Sequence, residues 1–120
     1  MKTDPILVTG ATGYVGGRLI PALLAAGHRV RAMGRRLDKI GCRPWAGNSR
    51  VELVQGDVLD VESLKQAASG CRAAYYLVHS MIAQKEKFVA ADRRAAQNMV
   101  EVASAAGLNR IIYLGGLAEA

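Results

Sequence analysis

Aromatic and cysteine residues are scarce in this sequence: aromatics make up 5%, and only two of the 120 residues are cysteines. Cys42 and Cys71 form no Cys-x-x-Cys pair, which argues against a disulfide scaffold or a zinc ribbon and favours a reducing cytoplasm. No apolar run approaches the roughly 20 residues that span a bilayer, and the segment before Ile6 is too short for a signal peptide. We therefore expect neither a metal site nor a membrane partner.

Length and composition predict a single folded domain over residues 1–120. The length fits one domain of about 100–150 residues. Hydrophobic residues make up 51% of the chain and charged residues 22%, which excludes the disordered and collagen-like classes. A mean hydropathy of +0.11 indicates that several strands or helices are fully buried.

The net charge of +6 is concentrated in one segment of the chain. Residues 29–50 carry seven bases against one acid, whereas the remaining residues are balanced. Nucleic-acid binders usually spread bases over a face and can interleave aromatics, so a nucleic-acid partner is not expected here. A compact site for an anion such as phosphate explains a single cluster at least as well. The bases of the segment are Arg29, Arg31, Arg35, Arg36, Lys39, Arg43 and Arg50.

Strand and helix patterns alternate along the whole chain. We predict strands at residues 5–9, 29–33, 51–55, 73–78 and 110–114, of which 5–9 and 73–78 are nearly continuous apolar runs. Apolar residues at helical spacing predict helices at 14–26 and 84–106, and a third helix begins at the N-cap Asp60 and ends near Ser69. Residues 34–49 show no clear period and predict a loop with at most a short helix at 37–40. The alternation predicts an α/β fold in three layers, a doubly wound parallel sheet with helices on both faces.

Three glycines stand between the first predicted strand and the first predicted helix, at the spacing G-x-x-G-x-x-G. Gly10 lets the chain turn sharply off the strand, and Gly13 lets the backbone approach a pyrophosphate closely. Gly16 lets the helix pack onto the sheet, so that the amides of its first turn point at the phosphates. The alternative is a glycine-rich turn without a ligand. The strand–turn–helix context favours the dinucleotide interpretation.

Several further motifs accompany the glycine loop. Together with it they resemble the short-chain dehydrogenase/reductase superfamily, in its extended and atypical branches, over the whole chain. One motif is similar to the fourth strand of an NmrA-like group of NAD(P)-binding proteins. The motifs are Val54-Gln55-Gly56-Asp57-Val58, the pair Asp92 and Asn98, Ala106-Gly107-Leu108, Arg110 to Leu114, and Tyr76-Leu77-Val78-His79-Ser80.

The resemblance implies a Rossmann domain with about five strands in the order 3-2-1-4-5, forming the N-terminal portion of a longer protein. It implies the cofactor-binding part of an oxidoreductase or of a nucleotide-sugar epimerase-like enzyme. The alternative is a non-catalytic NADP-binding module, either a redox sensor or an assembly factor of the NmrA-like type.

The same resemblance assigns residues to the parts of a dinucleotide. Asp57 with Val58 is expected to meet the adenine, although Asp57 as a turn or cap residue is the competing interpretation. The residues expected at the pyrophosphate are Gly10, Thr12, Gly13, Tyr14, Val15 and Gly16, and those lining the way to the nicotinamide are Leu77, Val78 and His79.

The end of the second strand indicates which nicotinamide cofactor is bound. NAD sites offer Asp or Glu there to the adenine ribose, whereas this chain has Arg35 and Arg36 and no acid until Asp38. A guanidinium at this place pairs with the 2′-phosphate of NADP, so NADP is favoured over NAD. The alternative is a solvated basic loop.

The catalytic pair of the superfamily is missing from the chain. None of the four tyrosines has a lysine four residues on, and Gly115-Gly116 stands where a catalytic serine usually follows the fifth strand. His79 is the one candidate for proton transfer, with a structural or exposed histidine as the alternative. We therefore expect the chain alone to bind cofactor without catalysis, and no substrate is predicted. Apolar surface left uncovered beside the fifth strand could also drive association of copies.

Overall fold

The fold alternates strands and helices, as the computed structural model shows for residues 4–11, 13–77 and 85–114. The strands are β1 (Ile6–Val8), β2 (Val30–Gly34), β3 (Val51–Gln55), β4 (Ala73–Leu77) and β5 (Arg110–Leu114). The helices are α1 (Tyr14–Ala25), α2 (Leu37–Ile40), α3 (Val61–Ala68) and α4 (Lys85–Ala106), with a 3₁₀ turn at Pro44–Gly47.

The five strands form one parallel sheet in the order β3-β2-β1-β4-β5, which confirms the predicted topology. The first strand is central: Ile6 is paired with Val30 of β2 on one side and with Ala73 of β4 on the other. From β1 the chain adds β2 and β3 on one side of the central strand, and then crosses over to add β4 and β5 on the other side. The strand order therefore reverses between β1 and β4. Ligands of doubly wound sheets bind in the crevice at such a point, outside the carboxyl ends of the strands.

Two hydrophobic cores lie on opposite faces of the sheet, because successive side chains of a strand point to opposite sides. Ile6 and Val8 pack with α1, α2 and the 3₁₀ turn, whereas Leu7 packs with α3 and α4. Residues 6–8 are all buried, which is typical of a central strand covered on both faces. The three predicted layers are therefore present.

Two helix ends show why the local sequence forms these elements. The amide of Gly27 (φ +95°) donates to Leu24 O and that of His28 to Leu23 O, so that α1 ends in a Schellman motif. At the start of α3, the Asp60 carboxylate accepts a hydrogen bond from the amide of Ser63 at 3.4 Å, as expected of an N-cap.

The element bounds differ from the predicted ones at few points. Strand β2 runs one residue further than predicted, to Gly34, and starts at Val30. The 3₁₀ turn at Pro44–Gly47 has no sequence period, but the side chain of Trp45 is buried in the core beside α1. The packing of this one large side chain in the core therefore orders a segment for which the sequence predicts a loop.

No helix in the described part of the chain is both long enough and apolar enough to cross a membrane.

Candidate functional site

The carboxyl ends of β1, β2 and β3 are tied to one another at one edge of the sheet. The amide of Ala11 donates to Met33 O at 3.2 Å, and that of Gly56 donates to Gly34 O at 2.9 Å. The side chain of Gln55 donates to Arg35 O at 3.2 Å. The loops that follow these strands, which hold most of the predicted cofactor residues, therefore form one connected surface.

The glycine loop after β1 adopts the tight turn that its sequence predicts. Gly10 has a φ of +66°, a conformation that residues with a side chain rarely adopt, and its carbonyl accepts a hydrogen bond from the amide of Gly13 at 3.0 Å. A Cβ at Gly16 would lie 2.5 Å from Gly10 O and 2.9 Å from the Cα of Ala11. Only glycine at position 16 lets α1 approach the loop this closely.

Helix α1 begins at this loop without a capping side chain. Gly13 is the N-cap and has no side chain to accept from the first turn, no described side chain is recorded as accepting there, and no acidic residue lies in that turn. The first amides of a helix have no acceptor within the helix, so they present partial positive charge. Tyr14 is 75% exposed, and the guanidinium of Arg18 lies 4.4 Å from the centre of its ring. This arrangement is suited to an anion.

The backbone around Gly13 is open enough for a dinucleotide phosphate. A Cβ built on Gly13 meets one atom within 4 Å, Gly10 O at 3.4 Å, which is an ordinary contact. Gly13 is therefore not required by packing within the described chain. The residues present fit a pyrophosphate whose oxygens approach the backbone here.

The two arginines after β2 are placed differently. Arg36 forms a two-point ion pair with Asp38, with distances of 2.8 and 3.2 Å, and this hydrogen bond lowers the pKa of the Asp38 carboxyl from its ordinary value. The guanidinium of Arg35 is exposed and makes no hydrogen bond or ion pair with the described residues. Arg35 is thus available to a ligand, whereas Arg36 would first have to leave Asp38.

The seven bases of the segment do not form a single cluster, so one compact anion site does not account for all of them. Arg31, near the start of β2, pairs with Glu52 at 3.0 Å and donates to the carbonyl of Ala67 at the end of α3. Arg50, just before β3, donates to Leu24 O at the end of α1. Strand β2 separates these bases from the pair after Gly34, because its two ends lie at opposite edges of the sheet.

The loop after β3 holds Asp57 and Val58. One oxygen of the Asp57 carboxylate accepts from the amide of Leu59 at 2.9 Å, and its backbone amide donates to the Ser63 hydroxyl at 3.0 Å. The structure thus shows the turn role that competed with adenine binding. The second carboxylate oxygen has no donor among the described residues, so the two roles are compatible.

Two polar residues at the site were given no role by sequence reasoning, although Asn98 is part of one of the family motifs. The hydroxyl of Thr9 donates to Tyr75 O at 3.4 Å and accepts from the amide of Leu77 at 3.1 Å, which holds the carboxyl end of β4 beside β1. Asn98 of α4 donates to Val58 O at 2.8 Å. A sequence signal exists for Asn98: it is a polar residue in the apolar stripe of its helix, with Ala95 and Val102 one turn away on either side.

Three predicted cofactor residues, Thr12, Val78 and His79, lie outside the described residues. Leu77 is half-buried at the end of β4, and a Cβ on Gly10 would lie 3.4 Å from the Cβ of Leu77. The glycine loop and the carboxyl end of β4 are therefore adjacent. Within the described ranges no three His, Cys, Asp or Glu side chains converge as metal ligands would.

Comparison with known proteins decides the family. Residues 10–118 match the protein family described as NAD(P)H-binding. The chain belongs to this family. The match begins at the glycine loop and includes the carboxyl ends of β2, β3 and β4, so this domain binds a dinucleotide cofactor.

Relatives of this NAD(P)H-binding domain include both reductases and epimerases. It is 28% identical over 116 residues to cinnamoyl-CoA reductase 1 of Petunia hybrida, covering 93% of this chain and 35% of that protein. A triphenylmethane reductase of Citrobacter sp., solved with NADP(H), is 30% identical with a TM-score of 0.74, and the match covers 91% of this chain and 36% of that one. A nucleoside-diphosphate-sugar epimerase of Staphylococcus aureus is 25% identical with a TM-score of 0.73, covering 91% and 37%.

The NAD(P)H-binding domain spans about a third of the length of these relatives. It corresponds to their cofactor-binding Rossmann portion, which confirms the resemblance to the short-chain dehydrogenase/reductase and epimerase group.

Proposed function

We propose that this domain prefers NADP(H) to NAD(H) and that Arg35 is the main ligand of the 2′-phosphate. The observation that carries the proposal is the state of the residues after β2. Arg35 keeps its guanidinium clear of the described chain, Arg36 is engaged by Asp38, and no carboxylate stands directly after the strand. An arginine fork pairs with a phosphate through two hydrogen bonds, whereas NAD sites require an acid at this place.

The remaining contacts of the cofactor follow the other strand ends. The pyrophosphate lies against the glycine loop and the first turn of α1, and the free oxygen of Asp57 accepts a hydrogen bond from the amino group of adenine beside Val58. The bound nicotinamide supplies the hydride chemistry, while the protein binds and orients it. The proposed phosphate ligands are Gly10, Thr12, Gly13, Tyr14, Val15 and Gly16, with Arg36 beside Arg35 and with Leu77, Val78 and His79 on the way to the nicotinamide.

Calorimetric titration of the 120-residue chain with NADPH and NADH tests cofactor choice. We expect NADPH to bind more tightly by about 1–3 kcal/mol, the range for a hydrogen bond to a charged group. Arg35→Asp should abolish or reverse this difference. Equal affinities of the parent for the two cofactors would refute the proposal.

We also propose that the whole protein is a reductase or epimerase-type enzyme and that the 120-residue chain binds cofactor without converting substrate. Hydride transfer needs a substrate held against the nicotinamide and a positioned proton donor, and the chain has no Tyr-x-x-x-Lys pair. The test incubates the chain with NADPH and a panel of aldehydes, ketones, quinones and sugar nucleotides. Turnover that His79→Ala abolishes would overturn this expectation and make His79 catalytic.

We further propose a reducing compartment such as the cytoplasm, because Cys42 and Cys71 are both free thiols.

A further inference from the structure

The side chain of Asn98 is a buried amide in the middle of α4. It is 8% exposed, and the apolar residues Ala95, Met99 and Val102 of the same helix are buried around it. Its Nδ2 donates to the carbonyl of Val58 at 2.8 Å, a contact between residues 40 positions apart in the chain.

An amide at this position is unfavourable unless it is hydrogen-bonded. Burying a polar group without a partner costs free energy, and asparagine forms helices less readily than the alanines and methionine beside it. An apolar residue would serve the core between α4 and the sheet equally well. The contribution of Asn98 is therefore its hydrogen bond to the loop after β3.

The loop that receives this hydrogen bond is otherwise held by its own residues and by α3. The Asp57 carboxylate accepts from Leu59, the Asp57 carbonyl accepts from the amide of Asp60 at 2.8 Å, and Ser63 bonds to the Asp57 amide. These bonds set the shape of the loop. Among the described residues, the bond from Asn98 is the hydrogen bond that joins this loop to α4, the helix that follows β4.

We propose that Asn98 is a positioning residue for adenine recognition. Its hydrogen bond to the Val58 carbonyl holds the loop so that the free oxygen of Asp57 accepts a hydrogen bond from the 6-amino group of adenine. This inference rests on the proposed adenine contact of Asp57. Because Asn98 engages the Val58 carbonyl, that carbonyl does not compete with the Asp57 carboxylate for the amino group of a purine. Asn98 thereby sets the preference for a 6-amino over a 6-oxo purine without touching the cofactor.

The experiment compares NADPH with deamino-NADPH, in which hypoxanthine replaces adenine. Dissociation constants of both are measured for the full 120-residue chain, for Asn98→Leu, and for Asp57→Asn. Gln97→Leu, the exposed neighbour on α4, is the matched control. We expect Asn98→Leu to reduce the preference for NADPH by about three- to tenfold, the equivalent of one neutral hydrogen bond. Asp57→Asn should reduce the same preference, and Gln97→Leu should leave it unchanged.

A second measurement reports directly on how firmly the loop after β3 is held. Amide hydrogen exchange without cofactor should be faster at residues 58–60 in Asn98→Leu than in the parent, with the protection of β1 unchanged. If Asn98→Leu does not fold, Asn98→Ser, which is smaller, is measured in the same way.

The outcomes separate this inference from the proposed function. If both Asn98 variants weaken NADPH and deamino-NADPH by the same factor, Asn98 has a structural role only and the inference is overturned. If Asp57→Asn lowers the preference but the Asn98 variants do not, the adenine contact stands and the positioning role fails. If the parent binds NADPH and deamino-NADPH equally tightly and Asp57→Asn leaves both dissociation constants unchanged, the adenine contact itself is wrong and the inference is overturned with it.

Discussion

The carbonyl oxygen of Gly10 and the Cα of Gly16 are so close that an ideal Cβ on residue 16 would lie 2.5 Å from that oxygen. The approach joins the turn after β1 to the start of α1, and neither partner is a flexible side chain that can move aside.

Gly16→Ala should therefore destabilise the protein. We expect the free energy of unfolding to fall by about 1–3 kcal/mol, the usual cost of overpacking. Gly17→Ala is the matched control, since a Cβ there meets no described residue within 4 Å outside its own helix, and alanine favours the helix by up to about 1 kcal/mol. Urea unfolding measures both. Equal stabilities of the two variants would contradict the close contact.

Gly13→Val should abolish cofactor binding and spare the fold. Gly13 has the extended φ of −76° and ψ of 175°, which any residue adopts, so a side chain there costs little in the free protein. The branched side chain would stand where the pyrophosphate approaches the backbone. Calorimetry should show no binding while the melting temperature stays close to that of the parent. Normal binding by Gly13→Val would mean that the loop is not the phosphate site.

Arg35→Ala should cost more NADPH affinity than Arg36→Ala. The guanidinium of Arg36 is already paired with Asp38, and both side chains of this pair are 65% exposed. Arg35 has no such partner in the described chain. We expect a loss of about 1–3 kcal/mol for Arg35→Ala and a smaller loss for Arg36→Ala, with NADH affinity unchanged in both. An equal loss in the two variants would show that the cofactor displaces Asp38.

Arg31→Met should lower stability and leave cofactor choice unchanged. The Arg31 side chain is 13% exposed and bridges Glu52 and the end of α3. Its loss leaves the Glu52 carboxylate and the Ala67 carbonyl without this donor, at an expected cost of about 1–3 kcal/mol. Arg29→Met, an exposed neighbour, should change neither property. A changed ratio of NADPH to NADH affinity in Arg31→Met would place Arg31 in the cofactor site.

Stability should fall at alkaline pH through Cys71. Burial raises the pKa of the Cys71 thiol from 9.0 to about 11. The raised pKa favours the neutral thiol in the fold, so its contribution is complete below pH 9 and is lost as the pH rises towards 11. The stability of the parent relative to Cys71→Ala, both in a Cys42→Ser background, should shrink by about 2 kcal/mol over this range. A constant difference from pH 8 to 11 would contradict the prediction.

Local patterns in the sequence determined most of the fold. The bounds of β3 and β5 are the predicted ones and follow from strand-forming residues such as valine, isoleucine and tyrosine, and α4 follows from apolar residues at helical spacing, as predicted. The glycine spacing also located the turn between β1 and α1. These features depend on neighbours along the chain, which is why the printed sequence reveals them.

Contacts between distant residues were decided by the tertiary structure alone. Arg31 and Arg35 are the same residue type four positions apart, yet Arg31 contacts the end of α3, whereas Arg35 is exposed after the carboxyl end of β2. Asn98 and Val58 meet only because α3 and α4 pack on the same face of the sheet. A strand is extended, so residues a few positions apart lie far apart in space, and successive side chains point to opposite faces of the sheet. Which residues of other elements they meet depends on how the strands pair and the helices pack, and the local sequence pattern does not determine this.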